Sequence, residues 1–169
     1  MANALTVNKT KRLARISLFT SFAVAGSFIS LPGPVSSVAL DSTSGYFAAL
    51  NFGETEGASV LFAGHLVTAL VHGFPLGALH LPIAMGLAFQ GWLMAKVSRR
   101  FGMLVSTGMG VTMNTALTAT VIPVLGVGAA IAFAPFIFLA SLINGAVAYA
   151  VSVSLVRMGF IKSTQRLKR

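Results

Sequence analysis

Charge is confined to a few short stretches of this chain, and that confinement limits its fold more than any other feature. Lys9, Lys11, Arg12 and Arg15 form one basic cluster, and Lys96, Arg99 and Arg100 form a second. Arg157, Lys162, Arg166, Lys168 and Arg169 form the third. Asp41, Glu54 and Glu56 are the only acidic residues, so 9% of the chain is charged and 56% is hydrophobic. Soluble domains carry about 25% charged residues. The chain therefore reads as an integral membrane protein. Its 169 residues suit one domain of about five or six spans at roughly 20 residues each. There is no cysteine, which excludes disulfides, thiol catalysis and cysteine-ligated metals. A net charge of +9 would suggest nucleic acid in a soluble protein. Here it reports topology, because Lys and Arg gather in cytoplasmic loops.

SLFTSFAVAGSFIS after the first basic cluster, with Ser37-Val38-Ala39 beyond it, imitates a signal peptide and cleavage site. The rest of the chain is equally apolar, so the segment reads as a first span. Spans are expected at 12–30, 42–53, 58–73, 79–97, 103–122 and 129–158. The second is short, about 18 Å against a hydrocarbon core of roughly 30 Å. It crosses only by borrowing residues from Val35 onward, out of the Pro/Gly loop at 31–40. If it crosses, all twelve basic residues share one face of the membrane; if it does not, they divide. The positive-inside rule selects the crossing. The expected fold is all-α, a polytopic bundle of six transmembrane helices with both termini cytoplasmic in the plasma membrane. The turn Gly53–Gly57 and the KVSRR loop at 96–100 are then cytoplasmic. Gly73-Phe74-Pro75-Leu76-Gly77 and Pro123–Gly128 are extracytoplasmic turns.

Polar residues in so apolar a chain are the candidates for function. Gly64–His80 holds all three histidines. His65 and His72 lie two helical turns apart and share a face, with His80 just past the turn. The alternative is that each satisfies a neighbouring carbonyl. Asp41, followed by Ser42 and Tyr46, is either a helix N-cap or a ligand-facing carboxylate. Asn114 and Asn144 are either interhelical glue or amides for binding hydroxyls. Gln90 reads mainly as glue, and Trp92 as an interfacial anchor. Phe74, Tyr46 and Phe89 are aromatic enough to stack on a flat ring. The candidate binding set is therefore Asp41, Ser42, Tyr46, His65, His72, Phe74, His80, Asn114 and Asn144. Ser17, Ser21 and Ala25 are spaced by four on the first helix, as are Ala23 and Ser27. Such rows let helices approach closely, either within the bundle or against a partner. There is no HExxH, GxSxG or nucleotide-binding loop, so catalysis has little support and ATP-driven transport needs separate ATPases.

SVALDSTSGYFAAL at 37–50 and GHLVTALVHGFPLGALHLPIAM at 64–85, in a six-span chain with a small-residue first helix, resemble one transporter family. They are similar to the alpha-ribazole group of substrate-binding S components of energy-coupling factor (ECF) transporters. The resemblance implies an importer subunit, not an enzyme, with no cofactor and no resident metal. It implies capture of alpha-ribazole, an aromatic riboside used in cobalamin assembly, at the outer face. It also implies a transmembrane coupling subunit and two cytoplasmic ATPases as partners, with Ser17, Ser21 and Ala25 as the docking row. The alternatives are an S component for another vitamin or a transition-metal ion, and a membrane assembly factor or intramembrane enzyme.

Overall fold

A computed structural model describes residues 2–29 and 39–161 of the chain. The protein is all-helical over these residues. Its helices are α1 (Ala2–Ser27), α2 (Thr43–Asn51), α3 (Glu54–Val71), α4 (His80–Phe101), α5 (Met103–Ala116) and α6 (Ile122–Arg157). Tight 3-10 turns fill Gly77–Leu79 and Leu117–Val121. Two helical stretches, Gly77–Phe101 and Met103–Arg157, are long and apolar enough to cross a membrane. Most of the loop expected at 31–40, the expected start of the second span at Val35, the Ser37–Val38 part of the cleavage-site mimic and the tail from Lys162 onward lie outside the described residues.

The expected helices all form, but their ends differ from the expectation for identifiable reasons. The Gly53–Gly57 turn shrinks to Gly53, whose φ of 116° only glycine adopts easily. Glu54 and Glu56 are already in the first turn of α3, where acidic groups favour the helix dipole. In the same way KVSRR is not a loop. It is the last part of α4, which runs on to Phe101 and reverses at Gly102 (φ 95°). The expected 103–122 helix stops at Ala116. The Thr118 hydroxyl donates to the Thr115 carbonyl at 2.8 Å and the Thr120 hydroxyl to that of Leu117 at 2.7 Å. These three-residue bonds accompany the tighter winding. Pro123–Gly128 is a helical turn at the start of α6, broken at Gly126 (φ 81°), and not an open loop.

The five longer helices follow one another around the bundle as α1, α3, α4, α5 and α6, each packed on the next. Short α2 fills the middle and touches all five. All its residues from Ser44 to Asn51 are buried. The Leu40 carbonyl lies against Gly26 near the end of α1, while Phe52 lies under the Arg15 guanidinium. α2 therefore runs antiparallel to α1, and its nine residues cover only about 14 Å of its height. Large apolar side chains such as Leu18, Phe22, Leu70, Met85, Leu104, Ile131 and Leu139 face outward, while Gln90, Ser106, Ser141, Asn144 and Ser152 are buried.

Ion pairs gather at one end. Buried Glu56 holds Arg12 at 3.5 Å and Arg15 at 3.7 Å, joining α1 to α3. Glu54 pairs with both terminal nitrogens of Arg99 and joins α3 to α4. Arg157 reaches the same end beside Phe101. Removing a buried partner is costly, whereas an exposed pair contributes little. Because both arginines at Glu56 stay half-exposed, Glu56→Gln is expected to cost about 1–2 kcal/mol. Glu54→Gln should cost under about 1 kcal/mol. Unfolding of the purified protein by SDS titration measures both.

The small residues of α1 divide into two rows. Ala23 and Ser27 are buried, and Ala23 packs so close to Gly64 of α3 that a Cβ there would lie 2.9 Å away. Ser17, Ser21 and Ala25 are exposed on the opposite side, and the Ser21 hydroxyl donates back to the Ser17 carbonyl at 3.0 Å.

Candidate ligand site

A cavity of about 100 Å³ opens at the end of the bundle opposite the ion pairs. Five separate stretches of chain supply its polar wall. Asp41 and Ser42 come from the segment entering α2, His65 from α3, His80 from the start of α4, and Asn114 and Asn144 from α5 and α6. The apolar wall is Leu76, Ile83, Leu87, Leu117, Val121, Phe133 and Ile137. A mostly apolar pocket with a few fixed polar groups is what small-molecule sites generally show.

Asn144 organises one side. Its Nδ2 donates to the carbonyls of Ala39 (3.0 Å) and Ala140 (2.8 Å), and its Oδ1 accepts from the Thr43 hydroxyl at 2.6 Å. The amide thus clasps the segment that carries Asp41 and Ser42 to α6. The Ser42 hydroxyl donates to Asp41 Oδ1 at 3.1 Å. Asp41 is not the N-cap of α2; Ser42 holds that position and makes no side-chain cap bond. Burial pushes the Asp41 carboxyl up to about 6, against the opposing pull of the Ser42 hydroxyl and of backbone hydrogen bonds at Asp41 and Ser42.

Asn114 Nδ2 donates to the Ser141 hydroxyl at 2.7 Å. Behind it lies Tyr46, fully buried, with Gln90, Ser141 and Asn114 around its hydroxyl. Neither the Tyr46 hydroxyl nor Gln90 Oε1 makes a hydrogen bond of normal geometry. Tyr46 backs the cavity without lining it.

The histidines separate. His80 Nδ1 and His65 Nε2 are 3.1 Å apart, and both rings line the cavity. His72 does not. It is the C-cap of α3 (φ −92°, ψ 12°), so helical periodicity no longer fixes its direction. It meets the Ser27 hydroxyl of α1 at 3.3 Å and packs beside Phe28. Among the described residues no three His, Cys, Asp or Glu side chains gather as a metal site would require.

Phe74 covers the turn above this pair. Its ring stands edge-on to His80 with centroids 5.5 Å apart, and its φ of 52° is the left-handed conformation, unusual for a bulky residue. Phe89 points outward and stacks on Trp92, over which Lys96 lies at 3.8 Å. Neither of these two rings reaches the cavity.

Of the nine residues named from sequence, the cavity brings together Asp41, Ser42, His65, His80, Asn114 and Asn144. Tyr46 lies behind it, Phe74 above it and His72 apart from it. Phe133, Thr118 and Leu76 were missed. Phe133 could have been found, because it lies three helical turns before Asn144 and so near the same face of α6. No known family, curated protein or solved structure matches the chain.

Proposed function

We propose that this chain is the substrate-binding subunit of an ECF importer. In this reading six helices cross the plasma membrane, both termini are cytoplasmic, and the cavity opens to the outside. The ligand is a small aromatic vitamin precursor, with alpha-ribazole the first candidate. The subunit delivers it inward with a transmembrane coupling subunit and two cytoplasmic ATPases, and Ser17, Ser21 and Ala25 form the docking row.

One observation carries the reading: polar residues from five separate stretches of an apolar chain converge on one cavity. Polar groups are costly in such an interior even when they bond one another, and several facing one cavity mark it as a site. The outward apolar side chains and inward serines, asparagine and glutamine are the pattern expected when the solvent is lipid. The described arginines lie at the end away from the cavity, consistent with a basic cytoplasmic face. α2 can be shorter than a full span, because it is buried among the five longer helices. His65 and His80 are hydrogen-bonded to each other, and among the described residues no third ligating side chain joins them, which favours an organic ligand over a bare metal ion.

Calorimetric titration of the purified protein with alpha-ribazole, riboflavin, thiamine, biotin and cobalt tests the proposal. Tight riboside binding with no response to cobalt is the expected result; cobalt binding alone would sink it. Trp92 fluorescence is a poor reporter, since that ring is outside the cavity.

The carboxylate of Asp41 accepts ligand hydroxyls, and protonation weakens it as an acceptor and turns one oxygen into a donor. With the carboxyl at about 6, affinity is expected to fall by up to about tenfold from pH 7 to pH 5. Asp41→Asn should bind more weakly at pH 7 and lose this dependence. His72→Ala should leave affinity within about twofold, since its ring meets α1 and not the cavity.

A further inference from the structure

We infer that His65 and His80 form a one-way hydrogen-bond relay whose free end, the Nδ1–H of His65, selects a neutral ligand bearing an unprotonated acceptor. Such an acceptor is a heteroaromatic ring nitrogen or a carbonyl oxygen. The inference deepens the proposed function and rests on it for the ligand, though not for the relay.

The relay's direction follows from one backbone amide. The Leu76 N–H donates to His80 Nε2 at 3.3 Å. A backbone amide can only donate, so His80 Nε2 holds a lone pair and no proton. A histidine that is not an anion must then carry its proton on Nδ1. That Nδ1 lies 3.1 Å from His65 Nε2, so the His80 proton points at His65 and His65 Nε2 must accept. Protonating His65 on Nε2 would set two N–H groups against each other. His65 is therefore neutral too, with its proton on Nδ1. Both rings are in the tautomer with the proton on Nδ1, and the chain of donors runs from Leu76 to His80 to His65.

His65 lines the cavity, and among the described residues its Nδ1 has no partner. The relay thus ends on a donor. This decides what the site accepts. A metal ion needs a lone pair at that atom, and an ammonium group would bring a second donor against the first. A ring nitrogen with a free lone pair fits, and the acceptor groups for its hydroxyls are on the same cavity at Asp41 and Asn114. A donor covered by the bound ligand and left unpaired by the wrong one gives strong discrimination. The strained turn at Phe74 sets the Leu76 amide over His80, which links the shape of the turn to the polarity of the site.

Two measurements test the inference. Nitrogen NMR of the full-length protein with 15N-labelled histidine, assigned with His65→Phe and His80→Gln, reads the tautomers at pH 7 without ligand. Both His65 and His80 should show a protonated Nδ1 and a bare Nε2. A proton on His65 Nε2, or an imidazolium at either position, overturns the relay. Calorimetry then compares alpha-ribazole with its analogue in which the unsubstituted ring nitrogen is replaced by C–H. The wild-type protein should bind the analogue at least tenfold more weakly, and His65→Phe should bind the two within twofold of each other. Equal binding of both by the wild type overturns the selection. If neither compound binds, the ligand in the preceding section is wrong, and the NMR result alone upholds or overturns the relay.

Discussion

Gly91→Val is expected to abolish recovery of folded protein. α3 and α4 touch backbone to backbone where Gly57 faces Gly91. A Cβ on Gly91 would lie 2.5 Å from the Gly57 carbonyl oxygen and 2.6 Å from its carbon. A Cβ on Gly57 would lie 2.6 Å from that of Ala49 in α2. Three helices therefore meet at this point with no flexible side chain to give way. Overpacking against side chains costs about 1–3 kcal/mol; against rigid helix backbone the helices must separate along their length. The cost should exceed about 3 kcal/mol, a large part of an ordinary folding free energy of about 5–15 kcal/mol. Gly108→Ala is the control, since nothing lies within 4 Å of its Cβ position. Size-exclusion profiles in detergent should show Gly91→Val aggregated and Gly108→Ala unchanged. A monodisperse Gly91→Val protein of normal stability would mean that the α3–α4 crossing is looser than described.

Asn144→Leu is expected to damage the site more than any substitution that touches the ligand alone. It removes the bonds to Ala39 and Thr43 and leaves a buried carbonyl and a part-buried hydroxyl without that partner. An unsatisfied buried group costs about 1–3 kcal/mol, while hydrogen bonds between membrane helices average nearer 0.6 kcal/mol. A loss of about 2 kcal/mol in stability follows from the two together. Affinity should fall at least a hundredfold, because releasing the segment at 39–42 displaces Asp41 and Ser42 at once. Asn114→Leu separates contact from positioning. Its Nδ2 bonds only Ser141, so affinity should fall while thermal stability changes by less than about 1 kcal/mol. Equal stability losses in the two variants would place Asn114 among the structural amides.

Much of the site was legible because polar residues are rare in this chain. Asp41, His65, His80, Asn114 and Asn144 stand out against an apolar background, and the cost of burying them marks them whatever the tertiary arrangement. Direction was less legible. Two helical turns between His65 and His72 imply a common face only while the helix lasts, and α3 ends at Val71. Phe89 and Tyr46 were aromatic candidates by type, but type does not say whether a ring faces outward, as Phe89 does, or backs the wall, as Tyr46 does. The helix order was readable from hydropathy, and the ends were not. At Gly53 and Gly102 one left-handed glycine reverses the chain, where composition had suggested turns of several residues. The role of α2 was hidden most fully, since its length argued for marginal placement and its neighbours put it at the centre.

That central position bears on how the molecule is assembled. If the chain is the membrane protein proposed above, a nine-residue helix carrying Thr43, Ser44, Tyr46 and Asn51 has neither the length nor the hydrophobicity to enter a bilayer unaided. Its backbone is shielded only when α1, α3, α4, α5 and α6 have closed around it, and α6 is made after the other four. During synthesis α2 must therefore wait for the C-terminal half of the chain before it is secured. Chains stopped before Asn144 and Ser152 would lack the groups that bond Thr43 and Asn51, and quality-control proteases should clear them. In the finished protein the same enclosure should make the α2 amides the slowest to exchange with deuterium.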